Sequence, residues 1–160
     1  IVGSHPAEAV QRLAELPGIT VTGSVPDVRE FLSRASVSVA PVRIARGVQN
    51  KVLEAMAMGL PVVASREAFE GVRATPGEDL FVENNPARFA TRVIRILRNP
   101  HLAVRLAGNA RRVIRERYDW DRNMSLLERL VEKAAMRAPV EEAEGVSSQP
   151  APGLHAVAER

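Results

Sequence analysis

The sequence predicts an α/β domain in which a parallel sheet is covered by helices on both faces. Short apolar segments of three or four residues alternate with longer segments of helical periodicity, as in parallel sheets joined by crossover helices. The short segments are continuously apolar, which is typical of strands buried on both faces. The chain has 160 residues, 46% of them hydrophobic, enough for one domain with a real core. We therefore expect a doubly wound parallel sheet with further helices at its C-terminal end.

The first forty residues contain three predicted strands and two predicted helices. The predicted strands are residues 1–3, 19–22 and 37–40. Apolar residues recur at helical spacing in Ala7–Leu16 and Val28–Ala35, so each segment is predicted to form an amphipathic helix. Pro17 and Gly18 end the first of these helices.

Two further strands and four helices are predicted in the remainder of the chain. The strands are residues 62–64 and 80–82, and the helices are residues 49–58, 86–97, 102–117 and 121 to about 136. Gly59 provides a stop for the first of these helices. The polar residues 65–78 are predicted to be irregular. Residues 138–160 are rich in Pro, Ala, Glu and Ser without periodicity, so we expect one domain over residues 1–137 and a disordered tail.

The charge is unevenly distributed. Residues 1–137 contain 21 Lys and Arg against 15 Asp and Glu, whereas residues 138–160 contain four Glu and one Arg. A basic domain suits an anionic ligand, a membrane surface or nucleic acid, although Arg-rich helices with solvated faces would give the same balance. Aromatic residues that could stack on bases make up only 4% of the chain, so nucleic acid is not an expected partner.

The composition also limits the chemistry and the location. The chain has no cysteine, which excludes disulfides, thiolate zinc sites and a cysteine nucleophile, and which suits a reducing cytoplasm. No apolar run is long enough to span a bilayer and no signal peptide is visible. Ile1, Val2 and Gly3 resemble the middle of a buried strand, so we expect the chain to be part of a longer protein.

A candidate anion site lies where a loop enters the helix predicted at residues 49–58. The segment Gly47-Val48-Gln49-Asn50-Lys51 combines a glycine, two amides and a lysine at that helix N-terminus. Unpaired N–H groups and the positive end of the helix dipole favour an anion such as phosphate. The alternative is an ordinary N-cap by Asn50 with Lys51 in solvent.

Glu54 is unusual because its neighbours in sequence are apolar. It follows Val52 and Leu53 and precedes the run Ala55–Met58, which suggests a mostly buried helix. A buried carboxylate needs hydrogen-bond donors or a cation. The two vicinal hydroxyls of a ribose would suit it, while the alternative is a surface ion pair with Lys51 three residues earlier.

The loop Gly23–Asp27 follows a predicted strand, so its backbone could contact the edge of a planar base. Alternatively it is a tight turn in which Ser24 caps the helix that Pro26 begins. The three histidines, His5, His101 and His155, have no metal-ligand spacing, and no metal site is predicted.

Three segments resemble the group 1 retaining glycosyltransferases of the GT-B fold. These segments are "VTGSVPDVREFLSRASVSVAPV" at residues 21–42, "EAMAMGLPVVA" at residues 54–64, and a C-terminal part at residues 77–120 that ends in "YDW". Together the resemblance covers roughly residues 1–137. The segment "GVQNKVLEAMAMG" is most similar to the corresponding segment of sugar transferases associated with exopolysaccharide and exosortase loci.

The resemblance implies two Rossmann-like domains in the whole enzyme, of which this chain would be the C-terminal, donor-binding one. Glu54 matches the second glutamate of the family's paired-glutamate motif and would hold the donor ribose. Gly47, Val48 and Gln49 match the backbone segment near the diphosphate and sugar, with Asn50 adjoining it. Val25, with Ser24, matches the loop that lines the base. The substrate would be a nucleoside diphosphate sugar, with no cofactor and no metal.

The sequence departs from the family pattern at one glutamate. The first glutamate of the motif falls at Arg46, so Arg46 and Lys51 are expected to flank the site and to hold the diphosphate. The resemblance further implies that an N-terminal acceptor domain, the first strand of this domain and an Arg/Lys pair precede Ile1. No residue of this chain is assigned a catalytic role, and the fragment alone is expected to be inactive.

The resemblance implies a cytoplasmic enzyme of polysaccharide or glycoconjugate synthesis, with peripheral association at the inner membrane face left open. Two alternatives are also left open. One is another GT-B enzyme, such as a nucleotide-sugar epimerase; a phosphorylase is disfavoured because the chain shows no motif for a lysine-anchored pyridoxal phosphate. The other is a non-catalytic α/β interaction module.

Overall fold

Three parallel strands form the sheet in the computed structural model, which describes residues 1–136. The strands are β1 (Ser38–Ala40), β2 (Val62–Ala64) and β3 (Phe81–Val82), in the order β1-β2-β3. Val39 of β1 lies opposite Val63 of β2, which lies opposite Phe81 of β3. All three strands were predicted from short apolar runs, and their parallel pairing confirms the predicted fold class.

The described part of the chain contains seven α-helices. They are α1 (Glu8–Gln11), α2 (Arg29–Leu32), α3 (Asn50–Ala57), α4 (Arg66–Phe69), α5 (Pro86–Leu97), α6 (Pro100–Arg117) and α7 (Trp120–Ala135). A 3₁₀ turn, Arg12–Glu15, continues α1. None of these helices is long and apolar enough to cross a lipid bilayer.

Both faces of the sheet are covered by apolar side chains. On one face Ala40, Val62 and Ala64 pack against residues of α3 and the C-terminal half of α6. On the other face Val63 and Phe81 pack against residues of α5 and the N-terminal half of α6. The two-sided burial explains why the strands are continuously apolar.

The most regular elements carry clear start and stop signals. Asn85 and Asn99 cap α5 and α6 through their side chains, and a proline follows each cap. Gly59 ends α3 with a φ of +71°, while the Gly59 and Leu60 amides donate to the carbonyls of Met56 and Ala55 at 3.0 and 2.9 Å. The stop predicted at Gly59 is therefore confirmed.

The N-terminal predictions of two strands and two long helices are wrong in detail. Residues 1–3 and 19–22 form no regular strands, although the Thr22 amide donates to the Ile1 carbonyl at 3.0 Å and the Gly3 amide to the Gly23 carbonyl at 3.2 Å. The helix predicted at Ala7–Leu16 is present as α1 and the 3₁₀ turn that continues it to Glu15, whereas the helix predicted at Val28–Ala35 is reduced to α2. Neither α1 nor α2 buries a residue. Short helices without a buried face gain little from packing, so they do not propagate.

Residues 65–78 are not wholly irregular, because α4 lies within them. The Ser65 hydroxyl accepts a hydrogen bond from the Ala68 amide at 3.1 Å and so caps this helix. The hydroxyl also donates to the Val42 carbonyl at 2.6 Å, which joins the ends of β1 and β2.

A groove separates residues 1–3 from β1. Its volume is about 300 Å³. It is lined mainly by apolar residues, including Val2, Leu32, Val37 and Val39. Among the described strands β1 pairs only with β2, so its outer edge faces this groove.

Residues 1–120 form one compact unit, and the described residues after 120 belong to a second one. The first unit contains the sheet and helices α1–α6. Within the second unit, α7 carries Leu126, Leu127, Leu130 and Val131, each at least half exposed. The tail predicted at 138–160 lies outside the described residues.

Candidate functional site

The predicted base loop and the predicted ribose carboxylate line one cavity. Ser24 and Val25 contribute from the loop after residues 19–22, and Lys51 and Glu54 contribute from α3. The cavity has a volume of about 510 Å³, and Val2, Gly3, Ser4 and Val28 complete its lining. Four of the nine residues predicted to bind the donor are thus brought together by the fold.

Glu54 is exposed, not buried as its apolar neighbours suggested. The reason is the helical period: Val52, Ala55 and Met56 face the core with no solvent exposure, and at 100° per residue Glu54 falls on the opposite side of α3. Its side chain lines the 510 Å³ cavity, the groove beside β1 and a third concavity of about 290 Å³. A carboxylate at the junction of three concavities can accept hydrogen bonds from a ligand.

The Glu54 carboxylate has no intramolecular partner within residues 1–136. The ion pair with Lys51, which was one reading of the i, i+3 spacing, is not formed there. Lys51 is also exposed and lines the same cavity. The cavity therefore presents one carboxylate and one ammonium group, each able to engage a ligand.

The N-terminus of α3 is not capped by a side chain. Gln49 occupies the N-cap position with an extended backbone, and no side chain caps the first turn, so the alternative of an N-cap by Asn50 is not formed. Instead the Gln49 side chain donates to the carbonyls of Gly47 and Arg46, at 3.2 and 3.4 Å. The Val52 amide donates to the Gln49 carbonyl at 2.9 Å, so within the first turn the Asn50 and Lys51 amides are available to an anion.

The loop before α3 turns sharply at Gly47, whose φ is +68°. This is a left-handed conformation that favours glycine. Arg46, Gly47, Val48 and Asn50 are exposed and do not line the cavity that holds Glu54. Lys51, in the first turn of α3, connects the two parts of the predicted site.

Sequence reasoning missed several residues of this region. Val2, Gly3 and Ser4 line the cavity, but none of them was selected as a candidate site residue. Gly71 was also missed, although its backbone lies directly against Val48. No local signal identifies that contact, because the two residues are far apart in sequence.

Asp27 and Arg29 lie at the start of α2, beside the concavity of about 290 Å³. The Arg29 Nε donates to both Asp27 carboxylate oxygens at 2.9 Å, and the Arg29 amide donates to Oδ1 at 2.8 Å. The side-chain hydrogen bond, followed by the amide, holds the pKa of Asp27 below its ordinary value. Asp27 is therefore committed to Arg29 and is not a free acid or base.

A larger cavity, of about 640 Å³, lies at the carboxyl ends of β1, β2 and β3. Several of its polar groups already have partners: the Ser65 hydroxyl donates to the Val42 carbonyl and accepts from the Ala68 amide, and the Asn84 amide donates to both Glu67 oxygens at 3.1 Å. Size alone therefore does not make it the better candidate site. Within residues 1–136 no group of three or more His, Asp or Glu residues could hold a metal ion.

Residues 1–99 match the sequence model of a family described as glycosyl transferases group 1. A comparison with curated protein sequences found no match.

Two solved structures are similar to the chain. Sucrose-phosphate synthase from Thermosynechococcus elongatus is 26% identical, with a TM-score of 0.65, over 79% of this chain and 33% of that one. TarM is 19% identical, with a TM-score of 0.65, over 82% of this chain and 27% of that one. The chain thus spans about a third or less of these proteins. The likeness confirms an α/β fold with a parallel sheet, as in GT-B glycosyltransferases.

Proposed function

Because the chain belongs to the group 1 glycosyltransferases, we propose that it binds a nucleoside diphosphate sugar as the donor half of such an enzyme. The observation that carries this proposal is the cavity in which the base loop, Ser24 and Val25, meets Lys51 and Glu54 at the start of α3. The fold brings together residues from two distant segments that the family resemblance assigned to one ligand.

Glu54 is proposed to bind the donor ribose. Its carboxylate has two acceptor oxygens with no intramolecular partner in the described residues, and vicinal ribose hydroxyls supply two donors at matching spacing. Hydrogen bonds to a charged acceptor are stronger than neutral ones. The neighbouring Ser24 and Val25 would contact the base through their backbone groups.

The diphosphate is proposed to lie at the N-terminus of α3. The uncapped amides after Gln49 and the helix dipole provide a partial positive charge there, and Lys51 adds a full one. Gly47 lets the backbone approach an anion closely, and Arg46, exposed in the same loop, is placed to add a second cation.

The reaction proposed for the whole enzyme is glycosyl transfer with retention of configuration. The bond between the anomeric carbon and the diphosphate oxygen breaks, an acceptor hydroxyl oxygen forms the new bond on the same face of the sugar, and the hydroxyl proton passes to the departing diphosphate. The diphosphate departs with about two negative charges, which cationic and N–H groups must stabilise. This chain would contribute that stabilisation without a cofactor or a metal ion.

We propose that the groove beside β1 seats a further strand of the same domain. In a doubly wound sheet of order 3-2-1-4-5-6, the first strand lies between the second strand and the fourth. The chain follows that order if residues 19–22 stand for the third strand, residues 1–3 for the second, and β1, β2 and β3 for the fourth to sixth. The place of the first strand is then the groove, which is lined mainly by apolar side chains. The domain would thus include residues 1–137 and a preceding strand.

The acceptor is proposed to bind to a separate N-terminal domain, so that this chain alone binds donor without transferring sugar. By the same resemblance, we propose a role in exopolysaccharide or other glycoconjugate synthesis at the cytoplasmic side of the membrane. The basic charge of residues 1–137 is compatible with peripheral association there.

Calorimetric titration with UDP and GDP tests the donor site, using the tighter of the two for comparison with its 2′-deoxy analogue. Wild type is expected to prefer the ribonucleotide. Glu54→Gln should weaken ribonucleotide binding about tenfold and remove the preference, because one charge-assisted hydrogen bond contributes about 1.5 kcal/mol. Glu30→Gln, an exposed glutamate of α2 outside the cavity, is the matched control. Unchanged ribonucleotide affinity in Glu54→Gln would contradict the ribose role, and no nucleotide binding by wild type would favour an interaction module.

A further inference from the structure

Beyond the residues that contact the donor, we infer that Gly71 and Tyr118 position the anion-binding loop at Gly47 and Val48. Neither residue lines the candidate donor cavity. Their role is to hold the backbone of this loop in position without contacting the ligand. The inference rests on the proposed diphosphate site at the start of α3.

Gly71 supports the loop through a close backbone contact. A Cβ added at Gly71 would lie 3.2 Å from Val48 Cγ2, 3.5 Å from its amide nitrogen and 3.6 Å from its Cα. Gly71 also has a φ of +80°, which other residues adopt with strain. The distances to the Val48 backbone are ordinary van der Waals contacts, but the 3.2 Å approach is tight, so alanine at 71 would have to adopt the strained φ and push the Val48 side chain by a few tenths of an ångström.

Tyr118, at the C-terminal end of α6, fixes the segment that contains Gly71. Its hydroxyl accepts a hydrogen bond from the Arg73 amide at 2.6 Å and donates to the Gly71 carbonyl at 3.5 Å. The neighbouring Arg117 donates from Nη1 to the Arg73 carbonyl at 2.8 Å. Arg117, the last residue of α6, and Tyr118, which follows it, thus hold the backbone of residues 71–73 in place.

The same helix also supports α3 directly. Helix α6 packs against α3, and the Arg111 guanidinium donates to the Met58 carbonyl at the C-terminal end of α3 at 3.1 Å. Both the helix that presents the anion site and the loop that leads into it therefore rest on α6. Amide groups bind phosphate through directional hydrogen bonds, so a shift of Val48 should weaken phosphate binding more than base or ribose binding.

Gly71→Ala tests this inference, with Gly77→Ala as the matched control. Gly77 has a similar φ, +85°, but a Cβ added there meets nothing within 4 Å. The nucleoside diphosphate that wild type binds more tightly, UDP or GDP, is titrated by NMR beside its nucleoside. Gly71→Ala should weaken binding of the nucleoside diphosphate at least about fivefold, as expected for one misaligned hydrogen bond to phosphate. The affinity for the nucleoside should be unchanged. Gly77→Ala should change neither.

Tyr118→Phe keeps the ring and removes only the hydroxyl, so it serves if Gly71→Ala does not fold. It should shift the Gly47 and Val48 amide resonances. It should also weaken binding of the nucleoside diphosphate while leaving the affinity for the nucleoside unchanged. Wild-type diphosphate affinity in both variants overturns the positioning role and leaves the proposed function intact. If wild type binds neither nucleotide, the proposed function fails, and unchanged Gly47 and Val48 resonances in the folded variants then overturn the positioning role separately.

Discussion

Replacement of Asp79 by alanine should destabilise the fold, because Asp79 is an almost fully buried carboxylate. Its side chain is 2% exposed. One oxygen accepts from the Thr75 amide at 2.8 Å, and the other lies 3.4 Å from the Arg112 guanidinium of α6. The Asp79 amide in turn donates to the Thr75 carbonyl at 3.0 Å, so the residue closes the turn that leads into β3.

The size of the effect follows from these contacts. Asp79→Ala leaves the Thr75 amide without its acceptor, which costs about 1–2 kcal/mol for a partly buried donor. The pair with Arg112 adds less than about 1 kcal/mol, because the Arg112 side chain is 47% exposed and water can replace its partner. The free energy of unfolding should therefore fall by about 1–3 kcal/mol, or roughly 2–12 °C in Tm for a chain of this size.

Chemical denaturation followed by circular dichroism measures this change. Glu78→Ala removes a carboxylate from the adjacent, exposed position and should alter the free energy of unfolding by no more than about 0.5 kcal/mol. Asp79→Asn keeps an acceptor for the Thr75 amide and should fall between the two. An Asp79→Ala protein as stable as Glu78→Ala would refute the reasoning, since the buried carboxylate would then contribute nothing.

Two further predictions concern packing and pH. Leu106 of α6 has no solvent exposure, so Leu106→Ala should lower the free energy of unfolding by about 2–5 kcal/mol. Val104 lies on the same helix but is 73% exposed, so Val104→Ala should lower it by at most about 0.5 kcal/mol. Equal losses in chemical denaturation would contradict the assignment of Leu106 to the core. The hydrogen bonds of Asp27 with Arg29 lower the pKa of Asp27, so their contribution is present above the ordinary pKa of 3.8 and is lost as pH falls through the lowered value. In a carboxyl NMR titration the Asp27 midpoint should lie below 3.8 and rise toward it in Arg29→Ala, and identical midpoints would count against the side-chain bond.

The elements that the sequence predicted well are those with strong local signals. Helices α5 and α6 begin at asparagine–proline pairs, α3 ends at Gly59, and the strands are short apolar runs between turn residues. These signals act within a few residues, so a single sequence contains them. Helix α4 was missed although Ser65 is a typical N-cap, because the surrounding residues are polar and α4 is a single turn.

The N-terminal thirty-five residues were predicted less well because their structure depends on what packs against them. Helices α1 and α2 bury no residue, and residues 1–3 make backbone bonds with residues 20–23 on one side only. Helical periodicity indicates which face could be buried, but propagation of a short helix needs a partner for that face. In this region the sequence pattern therefore overstated the regular structure.

The candidate site shows the same division between local and long-range information. Glu54 could be selected from its apolar neighbourhood, yet the inference that it is buried was wrong, since the helical period directs Val52, Ala55 and Met56 to the core and Glu54 away from it. A polar residue in an apolar helical run therefore marks the exposed side of an otherwise buried helix. That exposed side becomes a candidate ligand site only where another segment completes a cavity, as Val25 does here. The support that Tyr118 gives to Gly71, across 47 positions of sequence, depends entirely on the tertiary fold, so no local pattern could have indicated it.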